Sequence, residues 1–389
     1  MKLLFVINTL NTGGAETFVI NLTNYLFLNS SNEVFLLNLN YTNYSNHNDL
    51  ETNIKLPKEN YFKIMQPKIF RKLMESEVAR RIINKLLIIT YNYYEINQSR
   101  SIISAIKPDL VISNLIYADR LIYKCHLSIP HIVVDQGDYR KAFSFRMKIL
   151  NSCSHIVCVS ESNKHLMMQY HHKNNIQTIY NAYSKSPNII NKTRTDWDIP
   201  EDAFIYIMVA RGIREKGWLE AIVAFSKIKE SSNSYFILVG DGIGVNEAKE
   251  YAKENKVNNI RFTGLLTNPE STFKMADVAI LPSYFESESL PLTLVEALWS
   301  DIPLIATDIG GIREIVEDDK GTCGILIPLK DSKPDVDQLV IAMNEMHDNI
   351  QKYKKNIPYC RSKFDMKYCA NQYLELSHRV IGQFRKKNI

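Results

Sequence analysis

Two acidic and two basic residues in the second half of the chain have the types and spacing to act on a charged, hydroxyl-rich ligand. Glu288 and Glu296 stand in the frame Glu288-Ser-Leu-Pro-Leu-Thr-Leu-Val-Glu296. Pro291 suits the first position of a helix from about Pro291 to Trp299, where its missing N–H costs nothing. That places Glu288 in the loop leading into the helix and Glu296 about a turn and a half inside it. The helix start, over Leu290, Pro291, Leu292 and Thr293, offers free N–H groups and a positive partial charge that can hold an anion. A carboxylate cannot bind a phosphate, but it accepts hydrogen bonds from hydroxyls. Arg211 and Lys216 lie in a loop after an apolar run, beside Gly212 and Gly217. Two cations at a strand's carboxyl end are placed to clamp a diphosphate. A ligand with phosphate and polyol parts is implied, and a nucleotide-sugar fits.

The elements that must position these groups read as alternating strands and helices. In the second half, Phe204 to Val209, Val278 to Leu281 and Ile302 to Thr307 are short, punctuated apolar runs, as expected of parallel strands covered on both faces. A helix is predicted from about Trp218 to Lys229, and another from about Pro334 to His347. Gly240-Asp-Gly242-Ile-Gly244 reads as a turn with no assigned chemistry, and Gly310-Gly311 follows a strand end where backbone can approach a ligand. In the first half, strands are predicted at 2–8, Glu33 to Leu39, Leu110 to Ser113, Ile132 to Val134 and Ile156 to Val159. The loop holding Gly13 and Gly14 precedes a helix from about Ala15 to Leu28, which begins a Rossmann-like unit, although its spacing is not the dinucleotide fingerprint. Ser160-Glu-Ser162 is a capping signal before a helix from about Asn163 to Tyr170. His131 reads as a loop residue before its strand. Strands alternating with helices imply parallel βαβ units. The polar stretch Ser184 to Pro200, with two prolines, marks the domain boundary.

Length and composition bound the answer. A chain of 389 residues with 45% hydrophobic and 23% charged residues is a folded protein long enough for two domains. No apolar run approaches the roughly 20 residues that span a bilayer, and the N-terminus lacks the features of a signal peptide. The six cysteines form no C-x-x-C pair and are expected to be reduced core residues of a cytoplasmic protein. The net charge is +5, but Tyr61 to Lys107 alone carries nine Lys/Arg against three Glu, interleaved with apolar residues. Such a basic amphipathic segment can lie on an anionic membrane surface, or pack on its own domain with a solvated basic face. Nucleic acid is not expected as a partner, since no nucleic-acid module is visible.

In order, the motifs are VAR211GIREK216G217, LVG240DG242, RFTG264, ADVAILPS283, the two glutamates and ATDIGG311IREIV. This succession over about residues 203–330 resembles the retaining nucleotide-sugar glycosyltransferases of family four, the glycosyl transferases group 1. GGAETFVINLTNYL, SHIVCVSES and IYNAY resemble the family's first glycine loop and helix, its strand before the crossover and its approach to the linker. The resemblance implies an α/β GT-B fold: two Rossmann-like domains with parallel sheets facing across a cleft, and a C-terminal helix returning to the first domain. It implies an acceptor-binding domain over residues 1–185, a nucleotide-sugar-binding domain over 186–365 and a terminal helical segment over 366–389.

The resemblance also implies chemistry. A sugar would pass from a nucleoside diphosphate to a glycan or lipid-linked acceptor hydroxyl with retention, in bacterial surface polysaccharide synthesis on the inner face of the cell membrane. Arg211, Lys216 and Glu288 would be catalytic. Gly13, Gly14, Gly212, Leu290, Pro291, Leu292, Thr293 and Glu296 would bind the donor, with Glu296 on the ribose and Glu288 on the transferred sugar. Glu286 competes with Glu288 for the sugar-facing place, and the spacing and the following Leu-Pro favour Glu288. No cofactor or metal is expected, since the two cations supply positive charge and the donor is a co-substrate. The chain departs from the family where a histidine often follows the strand at Ile132 to Val134. Here Asp135, Gln136 and Asp138 are the acceptor-side candidates, and Gln136 cannot serve as a base. A nucleotide-sugar 2-epimerase or a non-catalytic scaffold of the same fold are the alternatives.

Overall fold

The computed structural model describes residues 1–10, 13–39, 53–55, 77–137, 143–172, 174–184, 192–229, 233–266 and 268–387. The chain divides into two compact units. One comprises Met1–Cys158, Met167–Gln177 and Ala370–Ile389, the other Val159–Leu166 and Thr178–Cys369.

The first unit is built on a seven-stranded sheet of β1 (Lys2–Ile7), β2 (Glu33–Asn38), β3 (Asn53–Lys55), β4 (Leu110–Asn114), β5 (His131–Asp135), β6 (His155–Cys158) and β7 (Ile176–Thr178). Its order is β3-β2-β1-β4-β5-β6-β7. Parallel pairing sets Leu4 against Phe35 and Val111, so the apolar runs stack in register. Leu4, Val6, Leu37 and Val111 pack with Ile103, Leu121 and Ile122 in one core cluster. Phe5, which points to the other face of β1, packs instead with the first helix, Gly14–Asn29, and the final helix, Met366–Lys387. The Tyr373 ring lies 6.5 Å from that of Phe5 and 6.4 Å from that of Phe18. From Ala370 onward the last helix therefore belongs to the first unit, as expected for a terminal helix that returns there.

The second unit holds a six-stranded sheet. Its strands are β8 (Phe204–Val209), β9 (Ser234–Val239), β10 (Ile260–Gly264), β11 (Val278–Leu281), β12 (Leu304–Thr307) and the strand Gly324–Ile327. In spatial order they run β10, β9, β8, β11, β12 and then Gly324–Ile327, with all neighbours parallel. Numbered from β8, this is the doubly wound order 3-2-1-4-5-6. Chain direction across the sheet reverses between β8 and β11, so the loops at their carboxyl ends diverge and open a crevice there.

The structure corrects several boundaries. The helix expected to run to Lys229 stops at Phe225, and Pro291 is the residue capping the helix Leu292–Trp299 instead of its first helical position. The helix expected from Asn163 starts at Glu161, with Ser160 before it accepting the Asn163 N–H at 3.1 Å. Two earlier N–H groups, of Glu161 and Ser162, each donate at 2.8 Å to the carboxylate of Glu314, so an internal anion satisfies the positive end of that helix. His131 lies inside β5, where Ser113 Oγ sits 2.8 Å from its Nε2 and burial lowers its pKa to about 4. Of the basic segment Tyr61 to Lys107, residues 61–76 lie outside the described residues, and a helix runs over Glu77–Ile106. No described helix is long and apolar enough to cross a membrane.

Candidate donor site

The loops at the carboxyl ends of β8 and β11 bring the predicted cations and one predicted carboxylate together. After β8 the chain enters the Arg211–Gly217 loop, whose shape depends on Trp218. That side chain is fully buried, and its indole N–H donates to the Arg211 carbonyl at 2.9 Å. Gly217 turns the loop into the helix Trp218–Phe225 with φ +80, a backbone state that disfavours side chains, and a Cβ there would lie 2.1 Å from the Pro282 carbonyl oxygen. A Cβ on Gly212 would lie 2.0 Å from the Asp241 carbonyl oxygen, so the Gly240–Gly244 turn packs backbone to backbone on the cationic loop.

After β11 the chain turns back at Ser283. The Lys216 ammonium meets Glu288 Oε2 at 2.5 Å, with both side chains more than nine-tenths buried. The Ser283 hydroxyl donates to the same oxygen at 2.6 Å. Between the cations lies the Phe285 ring, 5.3 Å from the Arg211 guanidinium carbon and 5.3 Å from Lys216 Nζ. The negative face of the ring favours two like charges near each other by cation–π attraction. Arg211 itself is exposed. Glu286 is exposed as well, and the carboxylate paired with Lys216 is that of Glu288.

The Glu288–Thr293 turn is held from below. Gly311 N–H donates to the Ser289 carbonyl at 2.7 Å, and a Cβ on Gly310 would fall 1.9 Å from the Glu288 carbonyl oxygen. Gly310-Gly311, expected near a ligand, thus acts as the seat on which the Glu288 loop rests. Thr293 Oγ1 donates to the Val209 carbonyl at 3.1 Å and ties the helix start to β8. Leu290, Leu292 and Pro291 are buried.

Further along the same helix, Glu296 sits in a second cluster. Burial, reinforced by the charge of Glu270, pushes its pKa up to about 8. Glu270 in turn accepts a hydrogen bond from the Tyr183 hydroxyl. Burial and the two carboxylates hold the Tyr183 phenol well above its ordinary range.

Two family models match the chain: Glyco_transf_4, "Glycosyltransferase Family 4", over residues 12–185, and "Glycosyl transferases group 1" over residues 189–362. Between them they take in every donor-site residue named above. This chain belongs to the group 1 glycosyltransferases.

Among curated relatives, this glycosyltransferase is similar to the N-acetyl-alpha-D-glucosaminyl L-malate synthase of Bacillus anthracis. The two are 27% identical over 214 residues, 53% of this chain and 54% of the relative. It is 29% identical over 171 residues to the UDP-Gal:alpha-D-GlcNAc-diphosphoundecaprenol alpha-1,3-galactosyltransferase of Escherichia coli, covering 42% of each chain. The chain spans about half the length of the curated relatives it matches. Among solved structures, Anabaena HepE in complex with UDP and glucose superposes with a TM-score of 0.69 at 18% identity, covering 96% of this chain and 98% of that one. The fold is GT-B.

The acceptor-side candidates of the glycosyltransferase fall in the first unit and fare differently. Asp135 is fully buried and ion-paired with Arg146, itself 4% exposed. It was expected to orient an acceptor, but a sealed carboxylate neutralised by a guanidinium balances charge inside the fold and offers no surface to a ligand. Beside this pair, burial raises Asp119 to about pH 7 against the pull of Arg146, while the Ser113 hydroxyl donates to it at 2.5 Å. Gln136 is half-buried, its amide 3.4 Å from Asn114 Oδ1. Asp138 lies outside the described residues. Gly13 caps the first helix with extended backbone, and a Cβ there would lie 2.3 Å from Glu16 Oε2, so Glu16 folds back over it.

Sequence reasoning missed Ser283, Phe285, Glu270 and Tyr183. Ser283 ends ADVAILPS283, one of the motifs carrying the resemblance, without a role assigned to it, and Phe285 lies within the loop before Glu288. Tyr183 ends the IYNAY motif, but nothing local points to its pairing with Glu270, 87 residues away.

Proposed function

We propose that this protein moves a sugar from a nucleoside-diphosphate sugar to a hydroxyl of a glycan or lipid-linked acceptor, with retention at the anomeric carbon. The observation that carries the proposal is the buried Lys216–Glu288 pair beside Arg211, at the crevice where the second sheet reverses. An ammonium and a carboxylate held there can divide the two halves of one ligand between them. Lys216 and Arg211 take the diphosphate, and Glu288 accepts from hydroxyls of the sugar. The N–H groups at the start of the helix Leu292–Trp299 add positive potential on the same side, and Glu296 accepts from the ribose.

In the reaction, the bond from the anomeric carbon to the phosphate oxygen breaks as the acceptor oxygen approaches the same face. The acceptor proton passes to the departing phosphate. Arg211 and Lys216 stabilise the negative charge that builds on the diphosphate, a role worth on the order of 10²- to 10³-fold in rate for one donor. This charge supply makes a divalent metal unnecessary, so activity should survive EDTA. Relatives named for a malate and for a diphosphoundecaprenol substrate support a family tolerant in its acceptor. The second of these, and the basic Tyr61 to Lys107 segment, favour surface polysaccharide synthesis at the inner face of a bacterial membrane.

A thermal-shift screen against UDP-, GDP- and ADP-sugars tests the proposal, because a ligand at about 100 times its Kd adds about 2.7 kcal/mol of stability. One nucleotide class should raise Tm, and Lys216→Ala should abolish the rise. Proton NMR of the product reports the anomeric configuration. Inversion, or a donor response that persists in Lys216→Ala, would defeat the reading.

A further inference from the structure

We propose that Ser283 is a positioning residue that fixes which oxygen of Glu288 meets the sugar. The inference rests on the donor-site reading above and deepens it. Glu288 Oε2 accepts from Lys216 Nζ at 2.5 Å and from Ser283 Oγ at 2.6 Å. Two strong donors on one oxygen leave Oε1 as the oxygen presented to a ligand hydroxyl.

The two donors are not equivalent. Lys216 stands at the end of a loop and is needed by the diphosphate, so donor binding draws its ammonium away from Glu288. Ser283 has no such competing duty. It is fully buried at the exit of β11, and Thr307 Oγ1 on β12 donates to its carbonyl oxygen. The Phe285 N–H donates to Ser283 Oγ at 3.3 Å, which orients the hydroxyl oxygen. Its single proton has two acceptors within reach, Glu288 Oε2 at 2.6 Å and the Glu215 carbonyl at 3.2 Å. The charged, nearer acceptor wins, and the Glu215 carbonyl is served by the Tyr284 N–H at 2.7 Å. Ser283 therefore keeps the Glu288 carboxylate in place when Lys216 turns to phosphate.

A double-mutant cycle separates positioning from packing. UDP-glucose, UDP-galactose, UDP-N-acetylglucosamine, GDP-mannose and ADP-glucose are screened, and the one that raises Tm most is taken forward with its nucleoside diphosphate. Calorimetric Kd values for both, and the rate of diphosphate release, are measured for the unmodified protein, Ser283→Ala, Glu288→Ala and the double variant. Ser283→Ala should lower the release rate about 10- to 100-fold, as expected for a lost hydrogen bond to a charged group. It should leave the nucleoside diphosphate Kd within about twofold, and reduce the extra affinity conferred by the sugar. In the Glu288→Ala background the same substitution should change that extra affinity by less than about twofold. Equal losses in both backgrounds, or a silent Ser283→Ala, overturn the positioning role while leaving the donor site intact. A Glu288→Ala protein with full sugar-dependent affinity and rate, or an unmodified protein stabilised by none of the five probes, overturns the donor-site reading and this inference with it. Should Ser283→Ala not fold, Ser283→Cys, whose thiol is a similar-sized but weak donor, replaces it in the same cycle.

Discussion

Replacing Glu296 by Gln should make the donor-free protein more stable, and increasingly so as pH rises. Burial, with Glu270 close by, lifts the Glu296 carboxyl from an ordinary 4.5 to about 8. Between those values the folded protein holds a proton that the unfolded chain has released, so stability falls as pH rises through the window. Each pKa unit is worth about 1.36 kcal/mol, which sets a ceiling of about 5 kcal/mol on the loss at pH 9 relative to pH 4. Glutamine keeps the shape and cannot ionise. Other groups titrate too: Asp119, raised to about 7, acts in the same direction, and His131 and His155, lowered to about 4 chiefly by burial, act oppositely below pH 6.5. These contributions are common to both proteins and cancel in the difference. For units of this size about 1 kcal/mol moves Tm by about 2–4 °C. The gap in Tm, variant minus unmodified protein, should therefore widen by at least about 5 °C between pH 5 and pH 9 in a scanning-fluorimetry series. Ribose hydroxyls favour the ionised carboxylate, so nucleotide binding at pH 7 should expel a proton and give calorimetric heats that depend on the buffer. Parallel Tm profiles would show that Glu296 is solvated and that the Tyr183–Glu270–Glu296 cluster does not hold a proton.

Two further substitutions test the frame around the site. Gly217→Ala forces a side chain into φ +80 and into contact with the Pro282 carbonyl; it should cost about 1–2 kcal/mol from the backbone alone, with a larger loss from the displaced oxygen, read as a lower denaturation midpoint and weaker nucleotide binding. Asp135→Asn leaves Arg146 buried without its counter-charge, and a loss of about 3–5 kcal/mol is expected, whereas nucleotide affinity per folded molecule should not change; an intact midpoint would mean that the pair is solvated.

What could be read from the residues alone was the local order. β8 and β11 are apolar runs bounded by polar loops, and their limits fall where the runs end. Glu288 and Lys216 stand out only through the succession of motifs around them, since two glutamates eight residues apart are common on their own. Alternating strands and helices made parallel βαβ units legible, because parallel strands need crossovers, while the strand order came only from the structure. His131 escaped this logic: periodicity gives no sign that a polar first residue of β5 is buried against Ser113. The final helix and its return to the first unit were expected from the family resemblance alone.

Pairing across the fold was not legible, because it depends on which surfaces meet and not on neighbours in the chain. Asp135 looked like a loop carboxylate until packing sealed it against Arg146, and Glu270 gained its meaning from Tyr183 and Glu296, which approach it from other elements. Ser283 and Thr307 are ordinary strand-end residues in the sequence; the parallel register of β11 and β12 sets one on the other. The chain's pattern of apolar runs, glycines and charges determined the two doubly wound units and the chemical types at the crevice. Only the tertiary structure decided which charges are dry, which oxygen of Glu288 is occupied and which carboxyl keeps its proton, because desolvation and hydrogen-bond geometry exist only once distant segments are packed together.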